Sequence, residues 1–254
     1  MSHIVTEAKD RVLRIEIARA EKKNALTLDM YAAMVEALAA ASQDRAVRAV
    51  LVHGARGCFT AGNDLKDFLE RPPHAEEGPA FRFIRAISTF EKPLVAAVSG
   101  VAVGIGTTML LHCDLVYASP GARFQLPFVS LGLVPEAGSS FLLPYIAGYQ
   151  RAAELLLLGQ PFDTEKALAA GIVTEVIPED ELLEYARDAA LGVAALPPAA
   201  VRQTKALMKK RFAARTAEAM SEEGAVFRER LGSPEAKEAM TAFFEKRKPD
   251  FSRF

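Results

Sequence analysis

Two short, mainly apolar runs, Val47–His53 and Pro93–Val98, each stop at a glycine, at Gly54 and at Ser99-Gly100. That arrangement constrains the fold more than any other feature of the sequence. Apolar runs this short, without sustained alternation, read as strands covered on both faces. Around them lie Val12–Ile17, which alternates as a half-buried strand does, then Leu115–Ala118 and Ile172–Ile177. Helical patterns separate these strands. Asn24–Thr27 leads into a helix that Thr27 or Asp29 can cap, with Tyr31, Met34, Val35 and Leu38 on one apolar face. Ala80–Phe90 turns Phe83, Ile84 and Ile87 inward, and a further helix runs from about Gly104 to His112. Strands separated by helices predict an α/β fold with a largely parallel or mixed sheet.

From Gly148 onward helices dominate. They are Arg151–Leu158, Thr164–Ala170 ended by Gly171, Glu181–Ala195, a helix after Pro197-Pro198 running to about Arg211, then Arg215–Leu231 and Pro234–Lys246. Phe243 and Phe244, near the end of the last helix, can pack in the core or dock on the body or on another subunit. Segment 71–79, with its prolines and charges, predicts a flexible loop.

A chain of 254 residues, half of them hydrophobic, is long enough for one large core. Its formal net charge of −1 gives no global field to draw in nucleic acid or an acidic membrane. No apolar run reaches the roughly 18 residues of a membrane span. No secretory signal is visible, and Cys58 and Cys113 form no disulfide framework. Buried free thiols in a reducing, cytoplasmic setting are the expectation. The scattered histidines have no metal-ligand spacing, so no metal site is expected.

The chemistry concentrates in three segments. Glu136 lies in Leu131-Gly-Leu-Val-Pro-Glu-Ala-Gly138, and no other Asp or Glu occurs between Asp114 and Glu154. A lone carboxylate among apolar residues loses solvation. Its pKa then rises, which suits it to general acid/base work. The alternative is an acid at the start of a helix near Ser139, facing water. The other two segments, Cys58–Leu65 and Ser99–Thr108, place glycines just past a strand, where unusual backbone angles and close approach of a ligand are possible. Two such loops can each aim one backbone N–H at a single oxygen, the second from a helix N-terminus, and so form an oxyanion hole. Gly104-Ile-Gly106 does not complete a dinucleotide fingerprint, since Met109 stands where the third glycine belongs. Asp64 can simply cap the turn after Gly62.

Several pieces together resemble the crotonase, or enoyl-CoA hydratase/isomerase, superfamily. They are Glu21–Leu26, Phe59–Leu65, Lys92–Gly100 with its glycine loop, Cys113-Asp114, Phe124–Pro127, Leu131–Pro135, Thr164–Val173 and Phe244–Arg247, in family order over nearly the whole chain. The resemblance implies a spiral of ββα turns over residues 1–195, carrying the acyl-CoA site. It implies a C-terminal helical region over 196–254 that builds a homotrimer or dimer of trimers. The implied partner is an acyl-CoA thioester, with no nucleic acid, membrane or metal, and no cofactor beyond the coenzyme A of the substrate. The thioester oxygen would lie between the N–H groups of Asn63 and Ile105, in loops that contain Gly62 and Gly104. The adenine and its surroundings would be met near Lys23, Ala25, Ala61, Asp64 and Leu65. Lys246 would approach the phosphates, from its own or a neighbouring subunit.

Hydratases of this superfamily resemble one another in carrying two glutamates that hold a water. The matching positions here are Thr108 and Phe128, both facing substrate, and neither exchanges a proton as a carboxylate does. Glu136 matches the glutamate of peroxisomal-type Δ3,Δ2-enoyl-CoA isomerases, within a similar Pro-Glu-Ala-Gly-Ser-Ser-Phe pattern. The implied activity is therefore double-bond isomerisation in fatty-acid β-oxidation, with Glu136 as proton shuttle. The alternatives are an enoyl-CoA hydratase or other crotonase-type activity, and a non-catalytic acyl-CoA-binding protein.

Overall fold

The computed structural model describes residues 3–70 and 78–254. In chain order its regular elements are β1 (Ile4–Lys9), β2 (Val12–Ile17), α1 (Leu28–Gln43), β3 (Ala49–Gly54), α2 (Leu65–Glu70), α3 (Pro79–Thr89), β4 (Leu94–Val98), β5 (Val101–Val103), α4 (Ile105–Thr108), β6 (Leu115–Ala118) and β7 (Arg123–Gln125). There follow α5 (Ser139–Ala147), α6 (Tyr149–Leu158), β8 (Phe162–Asp163), α7 (Thr164–Ala169), β9 (Glu175–Val176), α8 (Leu182–Ala195), α9 (Pro198–Lys210), α10 (Ala213–Leu231) and α11 (Pro234–Phe244).

The strands form two sheets. A six-stranded sheet has the order β1-β2-β3-β4-β6-β9, antiparallel between β1 and β2 and parallel elsewhere. A three-stranded sheet has the order β5-β7-β8. The expected mixed α/β architecture is thus observed. The two apolar runs become the central strands β3 and β4, and every residue of β4 is buried. Alternate residues serve two layers. Ala49, Leu51, Val95 and Ala97 meet the Ala186, Ala190 and Ala194 stripe of α8, whose small side chains let the helix lie close. Val50, Val52, Leu94, Ala96 and Val98 face the larger core with Met30, Tyr31 and Met34 of α1. Phe227, Ala236 and Met240 of the C-terminal helices join that same core.

The spiral arises where a strand of the large sheet turns a corner into the small one. After β4 the chain bends at Gly100, φ +61°, where a Cβ would lie 2.4 Å from the Gly57 carbonyl oxygen. It then enters β5, and β6 feeds β7 in the same way. Thr60, past the end of β3, bridges to Ala102 of β5, so three successive turns stack side by side.

Some expectations need correction. The helix expected over Gly104–His112 is one turn of α-helix, α4, followed by a 3-10 turn at Met109–His112. The strand expected over Ile172–Ile177 contracts to β9, because the N–H groups of Ile172 and Val173 fold back onto the Ala167 carbonyl at the end of α7. Thr27, not Asp29, caps α1, accepting from the Met30 N–H at 3.3 Å. Of the predicted 71–79 loop, residues 71–77 lie outside the described residues, while Gly78 caps α3 and Pro79 opens it. Phe243 and Phe244 are not core residues: they are 58% and 48% exposed. No helix among the described residues is long and apolar enough to cross a membrane.

Candidate active site

The stacked turns leave the short sheet on one side, and the segments that emerge there surround a cavity of about 670 Å³. Residues 61–66 follow Thr60, Val103 ends β5 and Gly104 follows it, and Gln125 ends β7, with Pro127, Phe128, Ser130, Leu131 and Leu133 after it. Phe243 and Phe244 of α11 close another side.

The backbone explains how two N–H groups stay uncommitted. Leu26 bridges Asn63 in parallel fashion: its N–H donates to Gly62 O and its carbonyl accepts from Asp64 N–H. The Asn63 N–H, between those two peptides, therefore points away from Leu26 and bonds to no described residue. Its side chain is fixed separately, because the Tyr31 hydroxyl donates to Asn63 Oδ1 at 2.6 Å. Ile105 is the first residue of α4, so its N–H has no intrahelical acceptor. Gly104 turns the chain into that helix at φ +56°, ψ −118°. Gly62 holds φ +85°, and a Cβ there would meet the Val103 carbonyl oxygen at 2.5 Å, so the two loops touch backbone to backbone.

Glu136 is not a water-facing helix acid. Gly138 is the N-cap of α5, and Glu136 precedes it in a turn. Residue and atom exposure differ here. Glu136 as a whole is partly accessible because it borders both the large cavity and a second one of about 320 Å³. Its Oε1 is buried and hydrogen-bonds to no described residue. Burial, and secondly the charge of Glu223, pushes the Glu136 carboxyl up to about 8. A carboxyl in that range can both take and return a proton near neutrality.

Glu223 and His112 escaped the sequence reading. Glu223, on α10, is 7% exposed and accepts the Gly138 N–H at 2.6 Å and the Ser140 N–H at 2.8 Å. His112 Nε2 donates to Ala137 O at 2.7 Å. Burial lowers the His112 pKa to about 4, so the ring is neutral at pH 7. In the sequence Glu222-Glu223 resembles a solvated pair. One signal does mark it: Thr216, Ala219, Glu223 and Phe227 recur at helical spacing, which sets Glu223 on the buried stripe of its helix.

Other predicted positions divide. Ala25, Ala61, Gly62, Asn63, Asp64, Leu65, Gly104, Phe128 and Glu136 all line the large cavity. Lys22 lines it in place of Lys23, whose carbonyl instead accepts the Ala61 N–H. Asp64 is also a structural residue. It accepts from Arg19 at 2.6 Å, and its Oδ1 caps α2 through the N–H groups of Lys66 and Asp67. Ile105, next to the cavity-lining Gly104, is buried, and Thr108 is fully buried; neither lines the cavity, nor does the exposed Lys246. Phe128 presents an apolar wall, 5% exposed.

The profile of the enoyl-CoA hydratase/isomerase family matches residues 7–253. Human enoyl-CoA delta isomerase 2 is 35% identical over 251 residues, which are 96% of this chain but 64% of the human protein's length. The 2,3-dehydroadipyl-CoA hydratase of Escherichia coli K12 is 32% identical, with 99% of each chain covered. Among solved structures, an enoyl-CoA hydratase/isomerase from Pseudoalteromonas atlantica T6c superimposes with a TM-score of 0.94 at 44% identity, covering 98% of this chain and 100% of the other.

Proposed function

The chain belongs to the enoyl-CoA hydratase/isomerase family, and from that premise we propose that it is a Δ3,Δ2-enoyl-CoA isomerase with Glu136 as its single proton carrier. The observation that carries this reading is the state of the carboxylates around the large cavity. Asp64 is ion-paired to Arg19 and engaged as a helix cap. Glu136 alone of the two has no described hydrogen-bond partner, and burial has raised its pKa.

The steps follow from charge. The N–H groups of Asn63 and Ile105 receive the thioester oxygen, and negative charge developing there is stabilised by donors already in place. The C2–H bond breaks, its proton passes to Glu136, and its electron pair enters the thioester enolate. Glu136 then returns the proton at C4, so the double bond moves from C3–C4 to C2–C3. The chain binds coenzyme A as part of the substrate, and no further cofactor enters these steps.

Hydration is the second reading, because the Escherichia coli relative is named a hydratase. It needs an acid and a base on one water. Thr108 and Phe128 supply neither, and both oxygens of Glu223 are engaged by backbone N–H groups. Offering crotonyl-CoA and a 3-enoyl-CoA to one preparation, with products resolved, separates the two. Deuterium exchange from solvent into bound acyl-CoA separates either from a binding protein.

Assembly as a trimer or dimer of trimers belongs to the same proposal. Its support is a set of large apolar side chains, Tyr145, Tyr149, Leu157 and Leu207, each more than 60% exposed.

The direct test is Glu136→Gln. Isomerisation is expected to fall by about 10²- to 10⁴-fold, with acyl-CoA affinity little changed. Turnover at the wild-type rate would sink the assignment.

A further inference from the structure

We propose that Glu223 is a positioning residue for Glu136: it clamps the turn Ala137–Ser140 from the C-terminal helical region and sets a second carboxylate behind the first. The inference rests on the reading of Glu136 as the proton carrier.

The turn needs holding. Ala137, directly after Glu136, sits at φ +61°, a conformation that a side chain with a Cβ rarely adopts, and Gly138 follows at φ +71°. Two successive left-handed residues do not persist unless neighbours over-determine them. Neighbours grip this turn from two sides. His112 donates to the Ala137 carbonyl, and Glu223 accepts from the Gly138 and Ser140 N–H groups on either side of Ser139. A Cβ at Gly138 would also meet Thr216 Cγ2 of α10 at 3.0 Å, so α10 is seated directly on the turn. Position and direction of the Glu136 side chain follow from that grip.

The clamp is also electrostatic. Glu223 and Glu136 line the same 320 Å³ cavity. The negative charge of Glu223, favoured by its N–H bonds from Gly138 and Ser140 although burial raises its own pKa, opposes ionisation of Glu136 and adds to the effect of burial. It makes Glu136, once ionised, a stronger base toward C2. The other groups facing Glu136 act differently. Tyr31 of α1 is committed to Asn63 and held neutral by burial, and His112 is neutral. Arg85 of α3 is exposed at the cavity edge, and Arg228 of α10 stacks over Phe81 at 5.7 Å. Asp64 is ion-paired with Arg19, and Lys22 and Lys66 stand at the far cavity. Glu222, next to Glu223, faces solvent.

The test is the pH dependence of kcat/KM for isomerisation in wild type, Glu223→Gln and Glu223→Asp. In wild type the rate rises with pH as Glu136 ionises. Removing the charge in Glu223→Gln is expected to move that limb to lower pH by about one unit, with reduced kcat and an unchanged KM. Glu223→Asp keeps the charge but shortens the reach. Its limb is expected to stay in place while kcat falls. A purely structural cap would lower stability in both variants and leave both limbs where they were, and that result overturns the proposal. Should Glu223→Gln fail to fold, an Asp variant with wild-type kcat overturns it equally. Glu136→Gln is run alongside. If it retains turnover, the assignment of Glu136 has failed; if it is inactive and the Glu223→Gln limb is unmoved, only the role of Glu223 has.

Discussion

The two N–H donors and the carboxylate beside the large cavity are held by supports of different kinds, backbone for the donors and side chains for the carboxylate. Asn63 and Ile105 sit in loops that touch through Gly62 and Val103, and each loop ends a strand of the spiral. Their placement is a property of backbone-to-backbone contacts between turns of the spiral. Glu136 instead depends on side chains from elsewhere: His112 from the preceding turn of the spiral and Glu223 from α10. Backbone donors need little beyond glycine and a strand end, so they can be built once and kept rigid. A buried carboxylate needs a chosen orientation and a chosen affinity for its proton, and long-range contacts set both. The donor side of the site is therefore expected to fail by geometry, and the carboxylate side by electrostatics.

Gly62→Ala is the sharpest way to break the donor side. The new Cβ, 2.5 Å from the Val103 oxygen and on a residue at φ +85°, must push the two loops apart. With one donor displaced, kcat is expected to fall by about 10²- to 10³-fold, and the loss should be the same at every pH. A pH-dependent loss would mean that the glycine acts on Glu136 after all, and would erase the distinction between the two sides.

This division also explains what is legible in the sequence. The strand ends at Gly54 and Gly100, the central burial of β3 and β4 and the isolation of Glu136 are local patterns, each contained within a short stretch of chain. Asn63 and Ile105 followed from resemblance, and their uncommitted N–H groups from the bridge to Leu26 and the start of α4. The helical stripe marks Glu223 as buried, but its role is illegible because its partners are backbone N–H groups 85 and 83 residues away, which no local pattern marks. The short β9 was misread for a related reason: Ile172 and Val173 have strand-like side chains, but their backbones are spent on closing α7. The division at residue 195 remains a proposal about assembly, and the C-terminal helices also send Phe227 and Met240 into the main core.

The carboxylate side carries a stability signature that the donor side lacks. An acid whose pKa is raised on folding keeps its proton in the folded state at pH values where the unfolded chain has released it. Below about 4.5 both states are protonated and nothing is lost. As pH rises from there to about 8, the unfolded state binds fewer protons than the folded one, so stability falls across that window and levels off above it. The full penalty is bounded at about 5 kcal/mol, less whatever the cavity relaxes. Gln at position 136 carries no such penalty. Glu136→Gln is thus expected to gain thermal stability relative to wild type progressively between pH 5 and 8, by several degrees at the upper end. A Tm difference independent of pH would show that Glu136 is not held protonated by its surroundings.

The smallest expected effect concerns Lys246, which tests whether the C-terminal end adds a third, purely electrostatic support. Lys246 is exposed, does not line the cavity, and sits at φ +54° just past the end of α11. Its neighbours are better anchored: Arg247 is paired with Glu238 and Glu245, and Phe243 and Phe244 line the cavity directly. An exposed cation near a phosphate is worth about 0.2–1 kcal/mol and is screened within roughly 10 Å at ordinary salt. Lys246→Ala is therefore expected to raise KM for an acyl-CoA only a few-fold at low ionic strength, to lose that effect at high salt, and to leave kcat unchanged. A change in kcat would mean that the end of α11 acts on the turn of Glu136 through Phe244, and the carboxylate side would then depend on two C-terminal helices rather than on α10 alone.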